Sequence, residues 1–297
     1  MSIIDKAYYH TWNIGFVDAD SRDIVGSEKT QIKVHWVKHS YKDRFFADPF
    51  ILSVDEKLIK VLVEDYPYYD KRGMISLLTI DRKTYELKEK KVVLKQPFHM
   101  SYPFVMRKEN GETWVAPEAS QSGNLYYYTI NKETGKLENQ KILVEEPLLD
   151  STIVEYKGLW WLFCTKRGED SNKKLYIYYA NAPEGPWQPH SKNPVVSDAS
   201  MARPAGYMIK DGETLYRVIQ KCDISYGEAI SVSRVEELTP TSFKEIFLKE
   251  LRAQKDNYSC GFHTLNSFGG LTVVDGIRKD FAPIRRLIYE IRNMLKR

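Results

Sequence analysis

Five carboxylates, one arginine and one histidine stand at the ends of short β-rich runs in this 297-residue chain. Asp48 lies in FADPFIL, Glu64 in LVED, Glu118 in WVAPE, Asp150 opens DSTIVEY and Asp275 lies in VVDG, while Arg203 sits in ARPAG and His263 in GFHTL. Carboxylates gathered near one arginine and one histidine suit glycosyl chemistry, which needs an acid or base at the bridging oxygen and negative charge near an oxocarbenium-like centre. An arginine fork holds a phosphate or carboxylate, and a histidine moves a proton near neutral pH. Asp48, Glu118, Asp150 and His263 are the catalytic candidates, with Glu64, Tyr102, Arg203, Gln220 and Asp275 as substrate-binding candidates. Singly, each has a plainer reading: Asp48 before Pro49 caps a turn, Arg203 pairs with Asp48 or Asp150, and His263 bonds to backbone. Arg44, Lys166 and Arg167 beside these segments read more simply as a solvated basic face than as phosphate ligands.

What must position such residues is a repeat. Five segments share one grammar, a polar cluster, a β-rich run, a turn and a returning aromatic or branched run. They are FADPFILSVDEKLIKVLVED, SYPFVMRKENGETWVAPEAS, DSTIVEYKGLWWLFCTKR, ARPAGYMIKDGETLYRVIQKC and GFHTLNSFGGLTVVDG. Their anchors Asp48, Tyr102, Asp150, Arg203 and His263 are 54, 48, 53 and 60 residues apart, the span of a four-stranded propeller blade with its loops. The expected fold is all-β, a five-bladed β-propeller over residues 1–276, with its anchors converging on a central funnel. Glu64, Glu118, Gln220 and Asp275 end the second strand of their hairpins and face the same funnel. The fifth repeat has little chain left, so TQIKVHWV or HTWNIGFV from the N-terminal region is expected to complete it. KEIFLKELRAQKD reads as a helix-like rim insertion, and residues 277–297 as a basic amphipathic C-terminal α-helix after Pro283.

Composition excludes several classes. A net charge of +4 from 44 basic and 40 acidic residues gives no general case for nucleic acid. Three cysteines without a CxxC pair, and the absence of GxxxxGK[ST], HExxH and GxSxG, give no motif that requires a metal or other cofactor. The first residues lack the pattern of a secretory signal, so a cytoplasmic location is expected. The basic terminal segment suits packing under the disc or contact with an anionic membrane at its inner face.

The same residues carry a family likeness. FADPFIL, SYPFV with PE, the run from DSTIVEYKGLWWLF to NPVVSD, ARPAG, and HTL with GLTVVDG resemble the N-terminal domain of plant glucosamine inositolphosphorylceramide transferase and its stand-alone bacterial relatives. The likeness covers about residues 40 to 276, and its most specific part runs from Asp150 to Asp198. More distantly, that family resembles the five-bladed arabinanases, xylosidases, invertases and levansucrases, whose first-blade ADP supplies a base or nucleophile at the position of Asp48. Those hydrolases carry a second Asp and an acid Glu on later inner strands, whereas Arg203 and His263 occupy the fourth and fifth repeats here.

The resemblance therefore implies a sugar transferase of surface-glycan assembly, taking a sugar or sugar-phosphate donor and a glycan or glycolipid acceptor. Asp48 or Glu118 would activate the acceptor hydroxyl, Asp150 would orient sugar hydroxyls, and Arg203 with His263 would steady the departing phosphate. Two alternatives stand beside it: a propeller-type glycoside hydrolase with Asp48 as base or nucleophile and Glu118 as acid, and a non-catalytic glycan-binding propeller.

Overall fold

The computed structural model describes residues 8–281 apart from 109, 132 and 133. Strand β1 (Tyr8–Val17), a short helix α1 (Ser21–Gly26) and two two-residue strands, β2 (Gln31–Ile32) and β3 (His35–Trp36), precede the first blade. Blade one comprises β4 (Arg44–Val54), β5 (Leu58–Pro67), β6 (Met74–Asp81) and β7 (Leu87–Leu94). Blade two comprises β8 (Ser101–Arg107), β9 (Thr113–Glu118), β10 (Leu125–Ile130) and β11 (Leu137–Val144). In blade three, β12 (Leu148–Tyr156), β13 (Leu159–Lys166) and β14 (Lys174–Ala180) are followed by β15 (Gln188–Pro189) and β16 (Val196–Ser197), both paired with β14. Blade four is β17 (Ile209–Asp211), β18 (Thr214–Lys221), β19 (Ala229–Thr239) and β20 (Ser242–Ala253), with β2 parallel along its outer edge. Blade five joins both ends of the described chain, β21 (Leu265–Phe268) and β22 (Leu271–Phe281) pairing with β1 and then β3.

The expected five-bladed β-propeller is the observed fold. HTWNIGFV closes the ring as part of β1, antiparallel to β22 from Tyr8↔Phe281 to Val17↔Thr272. TQIKVHWV is divided: β2 joins blade four, and β3 forms the outer edge of blade five. Closing a blade with strands from distant parts of the chain leaves neither sheet edge of the junction open.

Two sequence expectations change. KEIFLKELRAQKD is strand as far as Ala253, because β20 lies on β19 over nearly its whole length and carries β2 on its other edge. Its Lys and Glu residues satisfy helical and strand spacing alike, and sheet pairing overrides their local helix preference. At the C-terminal end, residues 277–281 continue β22, so the strand runs past the boundary drawn at residue 276. The helix expected after Pro283 lies outside the described residues. Among the described residues no helix is long and apolar enough to cross a membrane.

Alternating side chains on each blade face pack against the next blade, so the hydrophobic core is a set of wedges between sheets. Leu62, Met100, Phe104 and Leu162 belong to the wedge running from blade one to blade three. Trp161, Phe163, Ile177 and Leu215 join blades three and four, Val218, Ile230, Phe262 and Val274 join four and five, and Phe16, Phe46, Val61 and Val273 join five and one.

One buried pair fixes the approach to the fourth anchor. Arg217 on β18 is 1% exposed and grips Glu245 of β20 through Nε at 2.9 Å and Nη2 at 2.6 Å. It also donates to the carbonyls of Met201 and Ala202, immediately before Arg203. Arg217→Ala would leave Glu245 buried without its cation and the 201–202 segment without its clamp. Urea unfolding should then show a loss of about 3 kcal/mol or more.

Candidate active site

The five anchors reach the hub from a shared backbone device in three blades. Asp48, Tyr102 and Asp150 have φ of 50°, 41° and 47°, and each lies at a register shift between the first and second strands of its blade. A bulge turns the residue off the ladder and re-aims it, but a non-glycine residue in the left-handed region costs about 1–2 kcal/mol. Neighbouring blades offset this cost. The Asp48 N–H donates to Asp275 Oδ2 at 2.9 Å, and the Tyr102 N–H donates to Asp48 Oδ2 at 3.2 Å. Arg203 and His263 lack this conformation and precede the inner strands β17 and β21.

The predicted residues gather at the hub, with relative exposures from 0% for Tyr102, Gln220 and Asp275 to 9% for Arg203. They form three connected groups. At the seam of blades five and one, Asp275 Oδ1 accepts the backbone N–H groups of His263 and Thr264 at 3.2 and 2.9 Å and contacts His263 Nδ1 at 2.8 Å. Thr264 Oγ1 donates to Asp48 Oδ1 at 3.1 Å, and His263 Nε2 stands 3.7 Å from the same oxygen. Trp12 stacks on the imidazole with centroids 3.9 Å apart.

Across the seam of blades three and four, Arg203 Nε donates to Asp150 Oδ2 at 2.5 Å and Nη1 to Asn172 Oδ1 at 2.9 Å. Its Nη2 lies 3.9 Å from Glu118 Oε2. Gln220 Nε2 donates to Asp150 Oδ2 at 2.6 Å and to the carbonyl of Pro204 at 2.9 Å. The third group is Glu64, whose Oε1 lies 3.5 Å from His99 Nε2.

Tyr102 is placed differently from its expectation as a ligand contact. Its ring packs edge-on against Phe50 at 5.0 Å, and its hydroxyl shares a 2.8 Å hydrogen bond with Thr152, which donates to the carbonyl of Gly206. Tyr102 therefore serves the hub through its backbone amide and ties blades two, three and four together.

Burial sets the proton affinities. Asp48 rises to about 6, chiefly by desolvation, with Asp150 and Asp275 adding repulsion and His263 and Arg203 opposing it. Glu118 rises to about 8, again chiefly by desolvation, helped by Asp150 and opposed by Arg203. Glu64 is raised well above the ordinary carboxylate range by desolvation and by the charges of Asp48, Glu118, Asp150 and Asp275. His263 is raised although burial opposes its charge most strongly, because Asp275, Asp48 and Asp150 favour the imidazolium. Burial, together with the charge of Arg167, lowers His99 to about 4. The hub thus holds two carboxyls of different proton affinity, Asp48 at about 6 and Glu118 at about 8, the kind of split that separates a base from an acid.

Several contributors were missed by sequence reading. Thr165 faces Leu149 in the ladder as Glu64 faces Ala47 and Glu118 faces Ser101, which makes it the third-blade counterpart. It is fully buried, and its hydroxyl has no hydrogen-bond partner. The repeat itself carried that signal, in FCTKR. Asn172, Trp12, Thr264, His99 and Tyr226 lie in loops or on other strands, and no repeat position marks them. Asp48, His263 and Asp275 also place ligand atoms within 4.8 Å of one another, as a metal would need. The hydrogen bonds from the Asp48, His263 and Thr264 amides already engage both Asp275 oxygens, and the imidazole Nδ1 adds to them. The donor set fits a structural anchor better than a cation site.

Glu118 gives a direct test. Its folded affinity for a proton exceeds the ordinary value of 4.5, so the folded state holds an extra proton between about pH 4.5 and 8. The associated stability is present below pH 4.5 and is lost as pH rises through 8. Glu118→Gln cannot lose that proton, so its urea midpoint should fall less than the wild type's between pH 5 and pH 9. Parallel curves would show that Glu118 is not protonated in the folded hub.

Residues 32–264 match the family described as glucosamine inositolphosphorylceramide transferase 1, N-terminal. The chain is 35% identical over 213 residues to glucosamine inositolphosphorylceramide transferase 1 of Oryza sativa subsp. japonica, covering 69% of this chain and 28% of the relative. Identity to the protein of the same name from Arabidopsis thaliana is 32% over 208 residues, covering 68% and 27%. The chain thus matches less than a third of the length of these relatives. Among solved structures it is similar to the catalytic domain of the Coprinopsis cinerea GH62 α-L-arabinofuranosidase, with a TM-score of 0.57 and 11% identity over 80% of this chain and 93% of the other. It is also similar to the exo-β-1,3-galactanase 1,3Gal43A of Clostridium thermocellum, with a TM-score of 0.53 and 10% identity, covering 80% and 59%. At such identities these two likenesses concern the fold alone.

Proposed function

From the premise that the chain belongs to the family of the glucosamine inositolphosphorylceramide transferase 1 N-terminal domain, we propose that it transfers a sugar from a phosphorylated donor to a glycolipid acceptor. The observation that carries this reading is the grouping of Arg203, Asp150 and Glu118, a guanidinium oriented by one carboxylate and standing 3.9 Å from a second, protonated one. A phosphate leaving group needs a cation and a proton donor as its bond to the sugar breaks, and a fixed arginine beside a neutral acid supplies both. Hydrolysis of an uncharged glycoside needs no such cation.

In the transfer, Asp48 takes the proton of the acceptor hydroxyl as its oxygen bonds to the anomeric carbon. The bond from that carbon to the donor phosphate oxygen breaks, and its electron pair leaves with the phosphate, which meets the free face of Arg203 and the Glu118 proton. His263, oriented by Asp275, faces Asp48 and adjusts its charge. Asp150 and Asn172 hold the guanidinium, Gln220 holds Asp150, and Glu64, whose proton affinity is raised by burial, stands by to hydrogen-bond a sugar hydroxyl. The relatives are named for glucosamine and inositolphosphorylceramide, so an amino sugar and an inositol-phosphate lipid are the first pair to test. The same reading places the protein at the cytoplasmic face of a membrane, where the basic residues beyond 281 would meet anionic lipid.

The split between Asp48 and Glu118 favours one second reading, a glycoside hydrolase that uses them as base and acid. Purified protein would be incubated with a panel of sugar nucleotides and inositol-phosphate lipids, with nucleotide release and glycolipid formation measured, and with aryl furanosides in parallel. Transfer is expected. Asp48→Asn should lower kcat by about 10²- to 10⁴-fold with KM little changed, and Arg203→Lys by about 10²-fold. Furanoside hydrolysis without transfer would replace this reading with the second. Sugar binding without turnover in either assay would leave a glycan-binding propeller.

A further inference from the structure

Tyr226 is an aromatic side chain of the hub that stays open to solvent. It is 45% exposed, although the residues beneath it are almost completely buried. Its ring stands edge-on to His263, with centroids 5.5 Å apart and planes at 83°, and Arg203 Cζ lies 5.3 Å from its centroid. Trp12 lies flat on the same imidazole but is only 7% exposed, so its face is spent on packing. Ile224, two residues before Tyr226, is 80% exposed and widens the apolar surface of the same turn.

The turn between β18 and β19 is held firmly on both sides of this ring. The Gly227 N–H donates to Cys222 Sγ at 3.4 Å, and the Gly227 carbonyl accepts the Phe262 N–H at 2.7 Å. Gly227 has φ of +61°, and a Cβ there would come within 2.8 Å of the Cβ of His263, so the turn sits directly against the site histidine. Lys221 and Glu228 close the hairpin base with a 2.7 Å ion pair. An exposed aromatic with two side-chain torsions, mounted on a fixed backbone, offers a large amphipathic contact at little entropic cost.

The ligand such a surface takes is flat, partly apolar and rich in hydroxyls. Arg203 keeps Nη2 for a donor phosphate, its Nε and Nη1 being engaged by Asp150 and Asn172, so the guanidinium has no donor to spare for a sugar. A pyranose ring instead lays its C–H face on the tyrosine and turns hydroxyls to the edge of the charged floor. The geometry points to Tyr226 as the platform on which a pyranose ring of the bound glycan stacks, beside Arg203 and His263. The inference rests on the reading of the hub as a sugar site and deepens it by naming the substrate class and the residue that selects it.

Saturation-transfer NMR of the full chain with methyl pyranosides as probes, the glucoside, galactoside, mannoside and 2-acetamido-2-deoxyglucoside, tests it. At least one probe should bind the wild type. Tyr226→Ala should weaken that binding roughly tenfold, as expected for loss of an aromatic stacking contact of about 1.4 kcal/mol, while Tyr226→Phe should stay within about twofold. Thermal midpoints of both variants should match the wild type, because the ring is not part of a core wedge. Binding through Tyr226 without transfer from any sugar nucleotide would uphold the platform while removing the transferase reading. Failure of every probe to bind the wild type, or unchanged affinity in Tyr226→Ala, would overturn the platform.

Discussion

A carboxylate from one blade accepting the backbone amide of the next is the constraint around which the hub is built. The bulges at Asp48 and Tyr102 take two N–H groups off their own ladders, and a buried amide without an acceptor is costly. Asp275 of blade five accepts from Asp48, and Asp48 of blade one accepts from Tyr102. The ring continues through Tyr102, Thr152 and Gly206, through Arg203 and Asp150, and from the Leu265 N–H to the Ala205 carbonyl. Each blade is thereby registered against its neighbour at the axis, where the apolar wedges are narrowest.

Asp48 is buried as an acceptor in this ring, Glu64 and Glu118 line the same hub, and burial gives all three their chemistry. Desolvation is the largest influence on Asp48, Glu64 and Glu118 alike. With Arg203 and His263 as the hub cations among the described residues, the carboxylates cannot all be ionised together at low cost, so protons are retained where compensation is weakest. Asp48 lies near His263 and is the more acidic of Asp48 and Glu118. Glu118 meets Arg203 only at 3.9 Å and keeps its proton. The structural role and the acid–base division share one origin.

The fold was legible because propeller repeats write the same polar–apolar grammar five times, about one blade length apart and with short alternating runs in most of the intervals between. Eight of the nine candidate residues send their side chains to the hub for the same reason, since inner-strand and second-strand positions recur. What the repeat could not convey was backbone conformation. Tyr102 occupies the anchor position yet sends its ring into the core, because the bulge presents its amide to the hub and its side chain to Phe50 and Thr152. Thr165 was passed over because a threonine among carboxylates carries no charge to draw notice. β20 was misread because Lys and Glu at i and i+4 satisfy a helix as readily as a strand, and only the long partner β19 decides between them.

Arg203 brings a different side chain to the anchor position that Asp48 and Asp150 hold in other blades. Its carbonyl accepts the Gln220 N–H at 2.8 Å, which ties it to the second strand of its blade. The side chain brings a permanent cation to a ring of acids. Its Nε and Nη1 are committed to Asp150 and Asn172, which fixes the guanidinium plane without ordering cost when a ligand arrives. Nη2 remains turned toward Glu118, so charge developing on a departing oxygen would meet a cation and an acidic proton held by different blades. In that geometry the sheet scaffold, rather than any mobile loop, supplies the preorganisation on which electrostatic stabilisation depends.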